Sequence, residues 1–137
     1  MLLAGDVGGT NLRLALYDLA DGALVERRRA RVPTRDVTSL VEAAAAFLAG
    51  EPGLEAAAFG VAGPVRNGKA EGTNVAFAID AAGLGGTLGV PAVVLNDLEA
   101  NAWGLDELDP GDFETLNRGE ADPRGNGAPI SAGTGLG

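Results

Sequence analysis

The chain has no cysteine and no histidine. This excludes disulfides, zinc sites built on thiolate or imidazole, a cysteine nucleophile and any triad that needs histidine. Any chemistry must rest on carboxylates, hydroxyls, backbone amides or a metal held by oxygen. Lysine is nearly absent, with Lys69 as its single instance, and aromatic residues make up only 4% of the chain. No apolar run approaches the roughly 20 residues of a membrane-spanning helix. No basic segment followed by an apolar core opens the chain either. The expectation is a soluble, cytoplasmic protein. Bases are in deficit: 10 against 19 acids, a net charge of −9. That argues against a nucleic-acid backbone or an anionic membrane as main partner. A small anion is still admissible, because a loop of backbone amides holds a phosphate regardless of overall charge.

What is abundant is glycine, 22 of 137 residues, and it clusters in turns beside apolar runs. Met1 to Ala4 reads as a buried strand closed by Gly5. Leu12, Leu14 and Leu16 alternate with Arg13, Ala15 and Tyr17, a strand with one buried face. The Asp6 to Asn11 link is short enough for a hairpin. After the Asp21–Gly22 turn signal, Ala23 to Val32 reads as a third antiparallel strand, whose Arg27, Arg28 and Arg29 suit a solvated edge. Val37, Leu40, Val41, Ala44, Phe47 and Leu48 fall at helical spacing, with Ser39 and Glu42 as a capping box and Gly50 as a stop. Leu54 to Ala62 is a buried strand, Asn67–Gly68 marks a type I′ hairpin, and Asp80 to Gly89 is a glycine-weakened helix. Pro91 to Leu95 is a short strand. Asn96 and Asp97 then cap a helical segment, Leu98 to Leu105. From Asp106 to Gly127 the texture turns irregular, and Ala128 to Ala132 reads as a last short strand.

This order implies an α/β fold, a mixed sheet covered by helices. In such folds ligands bind at the carboxyl ends of strands. Asp6, Gly63, Asn96, Asp97, Gly133 and Thr134 all fall at or just past predicted strand ends, which points to one shared site.

The individual motifs allow specific chemistry. In "GDVGGTN", Gly8 and Gly9 permit positive φ and a close backbone approach, the turn amides can face a phosphate, and Thr10 adds a hydroxyl. Asp6 would repel phosphate unless a cation lies between them, so it is a candidate Mg²⁺ ligand, directly or through water. A tight hairpin with an Asx turn accounts for the same residues equally well. "SAGTGLG" repeats the grammar, and its alternative is a plain chain end. Neither is a P-loop, because no Gly-Lys-Ser/Thr follows. In "VVLNDLEANAWG", Asp97 can accept a proton from a substrate hydroxyl that Asn96 orients; as an isolated signal, an N-cap pair is the commoner outcome. Thr73–Asn74 alone is a turn.

Taken together, Gly5 to Asn11, Ala62 to Val65, Thr73–Asn74, Leu95 to Asp97 and Ala132 to Gly137 resemble the bacterial ATP-dependent glucokinases, within the hexokinase and actin-like ATPase superfamily. The pieces stand in that family's order and at about its spacing. The resemblance implies a ribonuclease H-like lobe with a mixed five-stranded sheet, the first three strands antiparallel, flanked by helices. It implies a small lobe over 1–105 and the truncated start of a larger lobe over 106–137. It makes Gly8, Gly9, Thr10 and Asn11 the first phosphate turn, and Gly133, Thr134 and Gly135 part of the second. It makes Asp97 the general base toward the sugar 6-hydroxyl, with Asn74 and Asn96 on the sugar. The implied ligands are glucose, ATP and Mg²⁺, and a homodimer is left open. Phe77 stands where the family often has Trp. Family members also continue well past the second turn, so the chain by itself is expected to be inactive. The alternatives are a kinase for another hexose or amino sugar, a non-catalytic sugar- or nucleotide-binding module, or an α/β domain whose turns bind nothing.

Overall fold

The computed structural model describes residues 1–70, 75–120, 122 and 124–131. It divides into two compact units, 1–97 and 98–137.

In the first unit, β1 (Leu2–Val7) turns into β2 (Asn11–Ala20), which turns into β3 (Ala23–Pro33). The second turn carries Asp21 at φ 52° and Gly22 at φ 82°. Positive φ at both central residues is the twist-matched hairpin geometry that the Asp–Gly pair favours. A bulge between Leu16 and Tyr17 makes these two residues face Arg28 and Glu26, so Arg27 is the extra residue. A short 3₁₀ turn (Thr34–Asp36) leads to α1 (Leu40–Phe47). Ser39 caps α1, its side chain accepting from the Glu42 amide at 3.3 Å. The helix therefore starts at the cap and not at Val37, which is buried ahead of it.

β4 (Ala56–Val61) is followed by a small hairpin, β5 (Val65–Arg66) and β6 (Lys69–Ala70), turning at Asn67 and Gly68 with φ 51° and 73°. β7 (Ile79–Asp80) pairs with β6 and completes a three-stranded sheet that the sequence pattern did not suggest. Asp80 caps α2 (Ala81–Leu88) through its side chain, and Gly89 ends it in the left-handed region. β8 (Ala92–Asn96) closes the unit.

The main sheet has five strands in the order β3-β2-β1-β4-β8. β1, β2 and β3 are antiparallel, while β4 runs parallel to β1 and β8 parallel to β4. This is the mixed five-stranded sheet expected above. One face holds Leu3, Leu12, Leu14, Phe59, Val61 and Val94, packed with Leu40 and Ala44 of α1 and Leu84 of α2. Gly5 belongs to that face for a steric reason. It lies opposite Phe59 in register, and a Cβ there would sit 2.3 Å from the ring. The other face carries Ala4, Asp6, Arg13, Ala15, Tyr17 and Ala58, none of them buried.

The arginines of β3 are more engaged than a solvated edge requires. Arg28 donates to the Phe47 carbonyl at the end of α1, with its guanidinium 4.6 Å from the Phe47 ring centroid. Arg29 pairs with Glu26 at 2.7 Å, which raises the arginine's already high pKa further.

α3 (Asp97–Gly104) starts at the last residue of the first unit, and in the second unit it leads into two 3₁₀ turns, Leu105–Glu107 and Pro110–Asp112. Asp109 and Asp112 form a reciprocal capping box around the second turn. The described residues 128–131 form no strand, although a strand was expected over Ala128 to Ala132. Ile130 is 74% exposed there, and among the described residues no strand lies beside this segment to offer it a ladder.

Candidate active site

Parallel register aligns the carboxyl ends of the three parallel strands, β1, β4 and β8. Val7 lies opposite Val61, and Val61 opposite Asn96. The loops after β1, β4 and β8 therefore leave the sheet at one edge. Those loops hold Gly8 to Thr10, Gly63–Pro64 and the Asn96–Asp97 step, so the structure brings three of the sequence motifs together.

The first loop is a three-residue turn closed by the Gly8 amide on the Asn11 carbonyl at 3.0 Å. Gly8 and Gly9 are not among the residues with positive φ. The left-handed geometry expected of them is thus not what this turn uses; a three-residue connection closes the hairpin without it. Close approach remains a reason for glycine, because a Cβ on Gly8 would lie 3.2 Å from the Asn11 carbonyl oxygen. Thr10 and Gly9 are exposed. The turn is also held from the far end of β3. The Thr34 amide donates to the Thr10 carbonyl at 3.0 Å, and the Thr34 hydroxyl donates to the Gly8 carbonyl at 2.7 Å. Thr34 is the buried polar residue of this unit, at 5% exposure. Nothing in the sequence singles it out, since its partners are backbone groups distant in the chain.

The flanking side chains are engaged as well. Asp6 is the cross-strand partner of Arg13 and pairs with its guanidinium at 2.5 Å, both about half exposed. The Asn11 side-chain oxygen accepts from Arg31 Nε at 3.0 Å. A cavity of about 550 Å³ on this open sheet face is lined by Asp6, Arg13, Tyr17, Glu26, Arg29 and Arg31. Its arginines already pair with Asp6, Glu26 and Asn11, so we place the candidate site at the strand ends.

At the other two loops, Asn96 donates from Nδ2 to the Gly63 carbonyl at 2.9 Å. This joins the "AGPV" and "LND" motifs directly. Asp97 is the first residue of α3 and is partly buried. Phe77 is buried in the core with Ile79. Asn74, Gly133, Thr134 and Gly135 lie outside the described residues. Among the described residues no group of three or more acidic side chains is placed to hold a metal ion by itself.

The sequence model of the family described as Glucokinase matches residues 3–137. The glucokinase of Nostoc punctiforme is 36% identical over 141 residues, an alignment that covers all of this chain and 41% of that protein. The glucokinase of Aromatoleum aromaticum is 37% identical over 139 residues, covering 98% of this chain and 41% of its own length. The crystal structure of a glucokinase from an Antarctic psychrotroph superposes with a TM-score of 0.70 at 28% identity, over 89% of this chain and 40% of that one. A putative sugar kinase from Cytophaga hutchinsonii shares the fold, with a TM-score of 0.63 at 23% identity, over 76% of this chain and 38% of its own. The chain thus spans about two fifths of the length of the curated relatives it matches.

Proposed function

The chain belongs to the glucokinase family, and we propose that it is the N-terminal portion of a kinase that transfers the γ-phosphate of ATP to the 6-hydroxyl of glucose. The observation that carries this reading is the register Val7–Val61–Asn96, which sends the Gly8–Thr10 turn, the Gly63 turn and Asp97 out of one sheet edge. Phosphoryl transfer asks little covalent chemistry of a protein. It asks for positioning of two substrates and for stabilisation of charge on the moving phosphoryl group.

In this reading each residue has a defined task. The amides of Gly8, Gly9, Thr10 and Asn11 and the Thr10 hydroxyl hold nucleotide phosphate. Gly133, Thr134 and Gly135 supply a second turn of the same kind. Asn96 and Asn74 orient the sugar. Asp97 takes the proton as the 6-hydroxyl attacks, which carboxylate chemistry allows in a chain that has no histidine. Residues 1–105 form the small lobe and 106–137 begin the larger one.

A divalent ion fits this donor set only as the companion of the phosphates. Mg²⁺ commonly keeps several waters and takes one or two carboxylates together with phosphate oxygens. Asp6, already paired with Arg13, would hold it through water. When bound, the ion neutralises charge on the phosphates. The compartment in this reading is the cytoplasm; no described helix is long and apolar enough to cross a membrane.

The test is a coupled assay for glucose 6-phosphate, on the polypeptide that carries this chain together with the rest of the family's length. ATP-dependent product is the expected result. ATP turnover without sugar phosphate, or product from other hexoses and none from glucose, would reject the reading.

A further inference from the structure

We propose that Thr34 is the positioning residue of the first phosphate turn, setting the direction in which the amides of Gly9 and Asn11 point. The inference rests on the kinase reading above and adds to it a residue that touches no substrate. Thr34 sits just past β3, 24 positions from Thr10 in the sequence, yet it binds the turn at two points. Its amide takes the Thr10 carbonyl and its hydroxyl takes the Gly8 carbonyl.

The consequence follows from peptide geometry. In a planar trans peptide the C=O and the N–H point in opposite directions. The Gly8 carbonyl shares its peptide plane with the Gly9 amide, and the Thr10 carbonyl shares its plane with the Asn11 amide. Tying both carbonyls to Thr34 turns the Gly9 and Asn11 amides away from Thr34. Two donors are then held in advance for an anion, which is how a turn of amides gains affinity without reorganising when the ligand arrives. Glycine at 8 and 9 makes such control necessary, because a glycine-rich turn has few intrinsic preferences of its own. Burial of the Thr34 side chain excludes water from competing for the Gly8 carbonyl.

The backbone half of the clamp survives any substitution except proline, which has no N–H, whereas the hydroxyl half is specific to threonine and serine. Thr34→Val keeps the shape and removes the donor. Thr34→Ser keeps the donor and removes a methyl group. Both are measured in the polypeptide of full family length, with KM determined separately for ATP and for glucose. Thr34→Val is expected to raise KM for ATP about tenfold, as loss of one buried hydrogen bond implies, and to leave KM for glucose within about twofold. Thr34→Ser is expected to restore KM for ATP to within about threefold of the unsubstituted value.

A general structural role would move both constants together and would not be rescued by serine. Either of those outcomes overturns the inference, as does an unchanged KM for ATP in Thr34→Val. If the unsubstituted polypeptide itself makes no glucose 6-phosphate, the kinase reading fails and takes this inference with it. That failure is distinct, because in every other outcome the unsubstituted protein is active.

Discussion

Asn96 spans from the end of β8 to the loop after β4, its Nδ2 2.9 Å from the Gly63 carbonyl oxygen. A strand end and a neighbouring turn, 33 residues apart in sequence, are thereby fixed to each other at the sheet edge where the proposed site lies. The bond is partly buried, so it is protected from competition by water.

Asn96→Asp should expose that dependence. The carboxylate has no donor for the Gly63 carbonyl and sets a charge against a carbonyl oxygen. An acceptor left without its partner costs about 1–3 kcal/mol. Urea unfolding of the 137-residue chain should show a lower midpoint at pH 7 with an unchanged slope. A midpoint equal to the parent's would mean that the Asn96–Gly63 bond contributes nothing to this edge.

Asp97→Asn should separate binding from chemistry. The amide is close to isosteric with the carboxylate and can still hydrogen-bond a hydroxyl, but it cannot take a proton at neutral pH. In the polypeptide of full family length, kcat should fall by about 10²–10⁴, the usual contribution of a positioned base. KM for glucose should stay within a few-fold. Turnover near the parent's rate would remove Asp97 from the base role and leave it as the first residue of α3.

Gly5→Ala tests the core behind the site. A Cβ at Gly5 would overlap the Phe59 ring, with 2.3 Å to the nearest ring atom. Forced overpacking of a tight core typically costs about 1–3 kcal/mol. Phe59→Val removes every atom beyond the γ carbons and loses packing of its own, but in the double variant the overlapping Cδ1 and Cε1 are gone. The two substitutions should therefore be non-additive, with a coupling of about 1 kcal/mol or more in a double-mutant cycle. Strict additivity in denaturant unfolding would mean that the strand pair shifts to absorb the new methyl group.

Much of this arrangement is legible in local sequence. Alternation in Leu12, Leu14 and Leu16 reports a strand with one buried face because side chains of a strand alternate between faces. Asp21–Gly22 and Asn67–Gly68 report hairpins because few other pairs accept positive φ at two adjacent positions. Ser39 and Asp80 report helix starts because a capping oxygen needs only its own helix. What is not legible depends on distant partners. β7 is two residues long and exists because β6 is beside it. Thr34 is an ordinary threonine until the fold brings the Gly8 and Thr10 carbonyls to it. Arg28 looks like one of three solvated charges until the end of α1 arrives within reach of it. Gly8 and Gly9 carry a signal for a tight turn, but composition does not say which φ the turn adopts. The candidate residues Asp6, Gly63, Asn96 and Asp97 stand out through their clustering at strand ends, a regularity of the fold class and not of any single residue.

The 137-residue chain by itself should not phosphorylate glucose. It corresponds to about 41% of the length of its curated glucokinase relatives, and the catalytic effect at stake is mainly one of positioning. Holding two reactants in line supplies on the order of 7–11 kcal/mol when geometry is complete, and most of that disappears when one reactant is held at one end only. The Gly8 to Thr10 turn proposed to hold phosphate, Asn96 and Asp97 all leave the same end of the packed sheet. Weak glucose binding through Asn96 and Asp97 is compatible with that, and turnover is not. A coupled glucose 6-phosphate assay should find the chain at background while the polypeptide of full family length is active under the same conditions. An Asp97→Ala chain run alongside controls for contaminating host kinase. Product formation by the 137-residue chain at a rate comparable to the longer polypeptide, abolished by Asp97→Ala, would show that this portion already holds everything the transfer requires.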